Sequence, residues 1–156
     1  METDSPSITE LADTLGARLR APYRRLQRRL YGSLELRFPD IRRAHSVVFR
    51  HIGPDGSRLT DLAAQAEMTK QSMAYLIGHL EAHGYLHQTN HPEDGRATLV
   101  KLTAKGRRFV ETAAAASREL EAEVAAELGK ARVAQLRELL VALDQALAKS
   151  AEDAAG

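Results

Sequence analysis

Residues 57–103 constrain the fold of this chain more than any other stretch. Two segments with helical apolar spacing follow one another, and an alternating segment that turns back on itself comes directly after them. The first segment places apolar residues at Leu59, Leu62, Ala63 and Ala66, and the second places them at Met73, Leu76, Ile77 and Leu80. The second set falls at i, i+3, i+4 and i+7, which is one face of a helix. The pattern predicts two short packed helices, each with one buried face.

The ends of these two helices carry sequence signals of their own. Thr60 is a cap candidate for the first helix. Thr69 offers a hydroxyl group to the unpaired amide groups at the start of the second helix. The second helix is expected to end at Gly84, because glycine readily adopts the backbone conformation that terminates a helix.

The remaining positions of the second helix form an outward face. This face has no acid before Glu81, and it consists of Lys70, Gln71, Ser72, Ala74, Tyr75, Gly78 and His79. An ordinary solvated face would be rich in Glu and Lys pairs. The free N–H groups of a helix start attract phosphate, and side chains such as Gln71 and Ser72 can hydrogen-bond base edges. We interpret this face as a nucleic-acid contact, and a plain polar surface is the alternative.

A β-hairpin is predicted directly after the second helix. Its strands are residues 85–91 and 97–102, and Pro92, Glu93, Asp94 and Gly95 supply the turn. Arg58-Leu59 could add a short third strand to the wing. Arg96 lies at the tip of the hairpin, from which an arginine can reach a neighbouring minor groove, and Asp94 could hold its guanidinium group by a charge-assisted bond. The alternative is a solvent-exposed salt bridge that contributes little.

Three motifs follow one another through this stretch at fixed separations. They are Leu80-Glu81-x-x-Gly84-Tyr85-Leu86, Asp94-x-Arg96 and Leu102-Thr103-x-x-Gly106. Together they resemble the winged helix-turn-helix of the MarR family of bacterial transcription regulators, and the resemblance covers residues 40–108 closely. It implies a mainly α fold with a small β-wing and a sequence-specific regulator of double-stranded DNA. Proteins of this kind are most often repressors.

The resemblance also implies roles for particular residues. The major groove would be read by Lys70, Gln71, Ser72, Ala74 and Tyr75, with His79 facing the DNA. Arg96 would enter the minor groove, and phosphates would be positioned by Thr60, Thr69 and Lys105. Relatives commonly release DNA when a small aromatic or anionic effector fills the crevice between the dimer helices and the reader. Candidate effector-lining residues, chosen for polarity and placement on one helical face, are Arg42, His45 and Phe49.

The segments that flank the reader are predicted to be long amphipathic helices. The expected organisation is a disordered segment 1–6, an N-terminal dimerisation helix 7–36, a winged helix-turn-helix domain 38–106 and C-terminal dimerisation helices 107–150. Ser7 and Glu10 form a capping box at the start of the first helix, and Pro22 is expected to kink or restart it. Asp40 is expected to cap the helix that follows. Gly129 is expected to interrupt the C-terminal helices.

The last helix carries a regular apolar seam. Its residues recur at steps of three and four, and they are Val133, Leu136, Leu140, Leu143 and Leu147. Such an a/d seam requires another helix as its partner. Combined with the resemblance, it predicts a homodimer built from residues 7–34 and 107–148. Two recognition helices about 34 Å apart would then require a pseudo-palindromic site.

The net charge of +1 hides a strong partition of charge along the chain. Residues 18–50 carry ten arginines against two acids, whereas residues 109–156 carry five basic and nine acidic residues. A basic block beside a DNA reader increases the rate of association and its dependence on salt. The cluster Arg24, Arg25, Arg28 and Arg29 could contact phosphates, or it could face the acids of a partner subunit.

Other classes of function find little support in the sequence. The chain has no cysteine, which excludes disulfides, thiolate metal sites and thiol-based sensing. His79, His83, His87 and His91 recur every four residues, but the helix should end between them, so we expect no metal site and no cofactor. No catalytic constellation or membrane-spanning run is present, and a cytoplasmic protein is expected. A winged-helix module that docks a protein, without affinity for DNA, is the competing hypothesis.

Overall fold

The computed structural model describes residues 13–90 and 98–155, with side chains described as far as Ser150. The chain divides into two compact units, residues 1–116 and 117–156. The predicted capping box of Ser7 and Glu10 lies outside the described residues. So does the predicted wing tip with Asp94 and Arg96.

The first unit consists of helices and one small sheet. Its elements are α1 (Leu15–Glu35), a 3-10 turn (Arg43–His45), α2 (Ser46–His51), β1 (Ser57–Arg58), α3 (Leu59–Gln65), α4 (Lys70–Ala82), β2 (Leu86–Asn90), β3 (Thr98–Leu102) and the first part of α5 (Ala104–Leu128). The strands form an antiparallel sheet in the order β1-β3-β2, with Leu86 opposite Leu102 and Ser57 opposite Val100. The predicted winged helix-turn-helix fold is confirmed. The predicted third strand forms at Ser57–Arg58, but Leu59 lies at the start of α3 and not in the strand.

The core of the first unit lies where α4, the sheet and α5 meet. All four residues of the predicted α4 stripe, Met73, Leu76, Ile77 and Leu80, are buried. Four aromatic rings add to this core: Phe38 and Phe49 lie 5.2 and 4.5 Å from the Phe109 ring, and Tyr85 is completely buried. Each buried large apolar side chain stabilises the fold by about 1.5–3 kcal/mol. Burial therefore determines which face of α4 points outward.

Both ends of α4 are closed by hydrogen bonds. Thr69 Oγ1 accepts from the Ser72 amide at 3.1 Å, which confirms the predicted N-cap. At the other end Gly84 has φ of +74°, its amide donates to Glu81, and the Tyr85 amide donates to the Leu80 carbonyl at 2.8 Å. This pair of bonds is a Schellman motif, and it ends the helix at the predicted place.

The third motif has a structural explanation at the start of α5. Thr103 Oγ1 donates to the Gly84 carbonyl at 2.6 Å and accepts from the Gly106 amide at 3.0 Å. A Cβ atom on Gly106 would overlap the carbonyl oxygen of Tyr85. The absence of a side chain at position 106 therefore lets α5 pack directly against the chain that enters the wing.

Two local expectations are wrong, and a third is wrong in part. Thr60 does not cap α3, because that helix already begins at Leu59, and its hydroxyl donates to the Asp61 carboxylate instead. Asp40 does not cap the next helix, because its carboxylate faces Lys105 and Tyr85. Pro22 does not restart the first helix, since α1 runs through it, and the alternative of a kink stays a prediction. Proline costs the helix one backbone hydrogen bond there, and the buried residues Tyr31 and Leu34 hold the following turns in place.

The second unit contains the end of α5 and helix α6 (Lys130–Ala155). Gly129, with φ of +90°, separates the two helices as predicted. An ion pair joins Arg137 to Glu121 at 3.0 Å. Along the predicted seam of α6, Leu140 is 42% exposed and Leu147 is 62% exposed. None of the described helices combines the length and apolar character needed to cross a membrane.

The close approach at Gly106 generates a stability prediction with a matched control. We expect Gly106→Ala to lower the free energy of unfolding by about 1–3 kcal/mol, because the new methyl group meets backbone rather than a flexible side chain. Gly78→Ala adds the same atom to an exposed helical position with nothing within 4 Å, and it should raise stability by about 0.5–1 kcal/mol. Urea denaturation followed by circular dichroism measures both. Equal effects of the two substitutions would contradict the packing described for Gly106.

Candidate nucleic-acid interface

The outward face of α4 is exposed, as its sequence predicts. Its exposed residues include Lys70, Gln71, Ser72, Ala74 and Tyr75. The Tyr75 side chain is 77% exposed although it is aromatic. Thr69 donates its hydroxyl hydrogen to Ser72 Oγ at 2.9 Å, which leaves the Ser72 hydroxyl able to donate outward. The first two turns therefore present amide, hydroxyl and ammonium groups to the surroundings.

An open groove of about 630 Å³ runs along one side of this face. One wall is formed by α4 through Gln71, Ser72 and Tyr75, and the other by the segment 43–47. Met68 and Leu76 contribute apolar surface to the groove. The segment 43–47 was not predicted from the sequence to form part of this interface. The sequence signal that could have identified it is the pair Arg42 and Arg43, which lies just before α2, a helix that packs on α4.

His79 does not face outward with the rest of α4. Its ring stacks between those of His45 and His83, with ring centroids 4.4 and 4.2 Å away. Its Nε2 atom lies 2.9 Å from the carbonyl oxygen of Asp40. The expectation that His79 faces DNA is wrong in this respect, because the helix turns that side of its second half toward the loop around Asp40.

Lys105 is occupied by contacts within the protein. Its ammonium group donates to Asp40 Oδ2 at 3.3 Å and to the carbonyl of His83 at 2.9 Å, and it lies 4.1 Å from the centre of the Tyr85 ring. Burial raises the pKa of the Asp40 carboxyl, but the hydrogen bond and charge of Lys105 outweigh it and the pKa is lowered. Burial raises the pKa of Tyr85. Lys105 therefore joins the start of α5 to the end of α4, which does not leave it positioned for a phosphate.

The three predicted effector residues were expected in a crevice between the dimer helices and the reader, and none of them lines the groove beside α4. His45 is 4% exposed, and its Nδ1 atom accepts from the Arg42 amide at 2.9 Å. Phe49 packs against Phe109 in the aromatic core. Arg42 is exposed at the start of the 3-10 turn. The structure thus places two of the three among the protein's own packing contacts.

The remaining predicted residues are either exposed or outside the described part of the chain. Thr60 and Thr69 are exposed, and the Thr69 hydroxyl is used in capping α4. Asp94 and Arg96 lie outside the described residues. Arg24, Arg25 and Arg28 are exposed along α1. Within the described ranges, no group of three or more His, Cys, Asp or Glu side chains is arranged to hold a metal ion.

Comparisons with known proteins agree with this geometry. Residues 42–106 match a protein-family model described as a winged helix DNA-binding domain. Similar solved structures include a probable transcriptional regulator from Pseudomonas aeruginosa, with 24% identity and a TM-score of 0.68, over 85% of this chain and 98% of that one. Another is a MarR family transcription regulator, with 18% identity and a TM-score of 0.69, over 94% of this chain and 99% of that one.

A third similar structure is the DNA complex of MepR from Staphylococcus aureus, with 18% identity and a TM-score of 0.69, over 85% of this chain and 98% of that one. The comparison with curated proteins finds no match. The structural neighbours are transcription regulators rather than enzymes, and they include a MarR-family protein. The resemblance read from the sequence motifs is therefore confirmed at the level of the fold.

The buried His45 generates a prediction about pH. Burial, followed by the neighbouring His79, lowers the pKa of His45 from 6.5 to about 4. In the unfolded chain this imidazole takes up a proton near pH 6.5, whereas the folded protein resists protonation until about pH 4. The unfolded state therefore binds more protons between these values, and the free energy of unfolding falls as the pH falls. We expect His45 to account for a loss of about 2 kcal/mol between pH 7.5 and 5.

Substitution separates this effect from those of other groups. His45→Asn keeps an acceptor near the Nδ1 position but cannot take up the proton, so the difference in unfolding free energy between pH 7.5 and 5 should shrink by that amount. His87→Asn, at an exposed position on β2, is the matched control and should leave the pH dependence as in the unsubstituted protein. Urea denaturation at both pH values measures the difference. An unchanged pH dependence in His45→Asn would contradict the assignment.

Proposed function

We propose that this protein is a sequence-specific, double-stranded DNA-binding transcription regulator that acts as a homodimer, and that it is a ligand-responsive repressor. The observation that carries the proposal is the exposed, acid-free first half of α4, which lies within the part of the chain that matches a winged helix DNA-binding domain. One protein with a similar fold is described as a DNA complex. Action on bacterial chromosomal DNA would place the protein in the cytoplasm.

The proposed roles in the major groove follow from side-chain chemistry. Gln71 and Ser72 would hydrogen-bond base edges, and Ala74 would contact a thymine methyl group. Lys70 would pair with phosphate at the start of α4, where the helix dipole also favours negative charge. Tyr75 would add a large exposed ring with a hydroxyl group. Thr60 and Thr69, both exposed near the turn between α3 and α4, would contact the backbone.

The wing has its own proposed role. Arg96 would enter the minor groove, where narrow A·T-rich segments have enhanced negative potential. Asp94 would orient the Arg96 guanidinium group by a charge-assisted hydrogen bond. The antiparallel pairing of β2 with β3 supports a hairpin that carries these residues in its connection.

Exposed apolar surface supports the homodimer. On α6, Leu136, Leu139, Leu140 and Leu147 are exposed, and on α1 the exposed set is Leu15, Leu19, Tyr23 and Leu26. Both sets follow helical spacing, as expected of surfaces that pack on other helices. A second copy of the chain is the partner that would cover them. Dimerisation would hold two copies of α4 at the separation that a pseudo-palindromic site requires.

The response to an effector is the least constrained part of the proposal. A small aromatic or anionic ligand can release DNA only if it binds the DNA-incompetent form more tightly than the competent form. Of the predicted lining residues, Arg42 presents an exposed charge, while His45 and Phe49 lie among packed side chains. An effector that reached His45 or Phe49 would have to displace contacts that hold α2 against α4 and α5.

Base reading by Gln71 is testable with a selected duplex. We expect the protein to enrich a DNA sequence from a randomised pool and to bind it in fluorescence anisotropy with affinity that falls as salt rises.

Gln71→Ala should reduce discrimination between the selected and a scrambled duplex by about 1–3 kcal/mol, because a base-edge contact is lost. Gln135→Ala, at an exposed position of α6, is the matched control. Equal loss on both duplexes would contradict base reading. Absence of duplex binding at low salt would favour the protein-docking module.

The dimer is tested separately. Combining Leu140→Arg with Leu147→Arg places two charges in the α6 seam, and we expect it to weaken dimerisation at least thirtyfold, equivalent to about 2 kcal/mol. Gln145→Arg adds a charge to an exposed position of the same helix outside the seam and should leave dimerisation unchanged. Sedimentation equilibrium measures the dissociation constant. A monomeric unsubstituted protein would contradict the homodimer.

A further inference from the structure

The groove beside α4 contains a residue that the sequence analysis did not assign to DNA. We propose that Arg43 binds a phosphate of the DNA backbone from the wall of the groove opposite α4. This inference rests on the proposed function, because it concerns the same DNA. It adds a contact that comes from the segment before α2 rather than from the recognition helix or the wing.

The position of the groove supports this inference first. The α4 wall consists of Gln71, Ser72 and Tyr75, which are residues proposed to reach the bases. Arg43 and Ser46 lie on the facing wall of the same groove. A DNA strand that passes close enough to α4 for Gln71 to reach a base edge therefore passes Arg43 as well.

The chemistry of the lining selects an anionic occupant. The groove is lined by one guanidinium group, together with hydroxyl, amide and apolar side chains, and none of its lining residues is an acid. Within the described part of the chain, Arg43 is exposed and forms no salt bridge with an acidic side chain. A planar guanidinium group matches the paired oxygens of a phosphate. The exposed guanidinium group in the groove thus complements a phosphate group.

The shape of the groove favours a polymer over a small free anion. Sites for small molecules usually bury most of the ligand surface. This groove is open to the protein surface, so it can accommodate part of a strand that continues beyond it. The charge of the surrounding chain is also favourable, since residues 18–50 carry ten arginines and two acids. A backbone phosphate is the occupant that fits both the openness and the charge.

The histidine stack holds the two walls of the groove together. The His45 amide donates to the Arg42 carbonyl at 2.9 Å, and His45 Nδ1 accepts from the Arg42 amide. Two hydrogen bonds between Arg42 and His45 therefore close the turn that contains Arg43. The His45 ring then stacks on His79 of α4. The backbone at Arg43 is therefore fixed relative to the recognition helix before DNA arrives. This reduces the ordering cost of the contact.

The test measures how salt affects binding to the selected duplex and to its scrambled counterpart. The plot of log K against log salt concentration slopes downward, and release of counterions from one phosphate contributes about 0.9 to the magnitude of this slope. Arg43→Ala should lower that magnitude by about 0.9 per bound protomer, and it should weaken binding to both duplexes by the same factor. Arg43→Lys should retain the slope but lose part of the affinity, because the charge remains and the paired donors are lost.

Arg37→Ala is the matched control. Arg37 is an exposed arginine of the same basic block, and it does not line the groove. Its substitution should leave the slope as in the unsubstituted protein. Circular dichroism and the unfolding midpoint of each variant should match those of the unsubstituted protein, since both side chains are exposed.

The outcomes that overturn the inference are distinct from those that overturn the proposed function. An unchanged slope in Arg43→Ala, or an equal decrease in Arg37→Ala, would show that Arg43 makes no particular phosphate contact although the protein binds DNA. Altered base preference in Arg43→Ala would assign the residue to base reading instead. Calorimetric titration with inorganic phosphate that showed binding lost in Arg43→Ala, with duplex binding unaffected, would make the groove a site for a small anion. Absence of duplex binding by the unsubstituted protein would overturn both.

Discussion

The orientation of α4 about its own axis is the constraint on which the rest of the structure depends. Burial of Met73, Leu76, Ile77 and Leu80 fixes which side of the helix faces the core, and the Thr69 cap and the Schellman motif at Gly84 fix where it begins and ends. The exposed face is then what remains, so its position is determined by apolar packing and not by any contact between its own polar side chains. A face determined in this way is available to a partner at little ordering cost.

Of the three motifs that resemble a DNA-binding family, the two within the described residues are mainly determinants of the fold in this chain. Gly84 terminates α4, Thr103 ties the start of α5 to the end of α4, and Gly106 permits a close approach that a side chain would block. Lys105 and His79 belong to the same junction: one bonds to Asp40, and the other stacks between His45 and His83. Residues surrounding a recognition helix are thus recognisable in sequence because they hold the helix in place. The residues that would read DNA are the ones whose side chains the fold itself requires least.

Two errors of the sequence-based predictions, at His79 and Lys105, share one physical origin. Helical periodicity correctly separated the buried from the exposed side of α4 near its start, where every outward residue is exposed. It failed at His79, because the second half of the helix lies beside the loop around Asp40, and a period of 3.6 carries no information about which loop lies there. The same limitation applies to Lys105, whose partners Asp40 and His83 are distant from it in sequence. Arg43 was not assigned to the site for the converse reason, since the wall facing it is made by residues almost thirty positions further along the chain.

The sequence by itself determined the order of elements, the boundaries of the recognition helix, the hairpin after it and the apolar seam of the last helix. These follow from local chemistry: the spacing of apolar side chains, the hydroxyl group of Thr69, and the backbone freedom of Gly84 and Gly129. Tertiary structure alone decided that Asp40 pairs with Lys105 and that three histidines stack, and it placed Arg43 on the wall facing Gln71. Those arrangements depend on which elements pack side by side. Packing brings together residues that lie at irregular separations along the chain, so no periodic pattern in the sequence reveals these contacts.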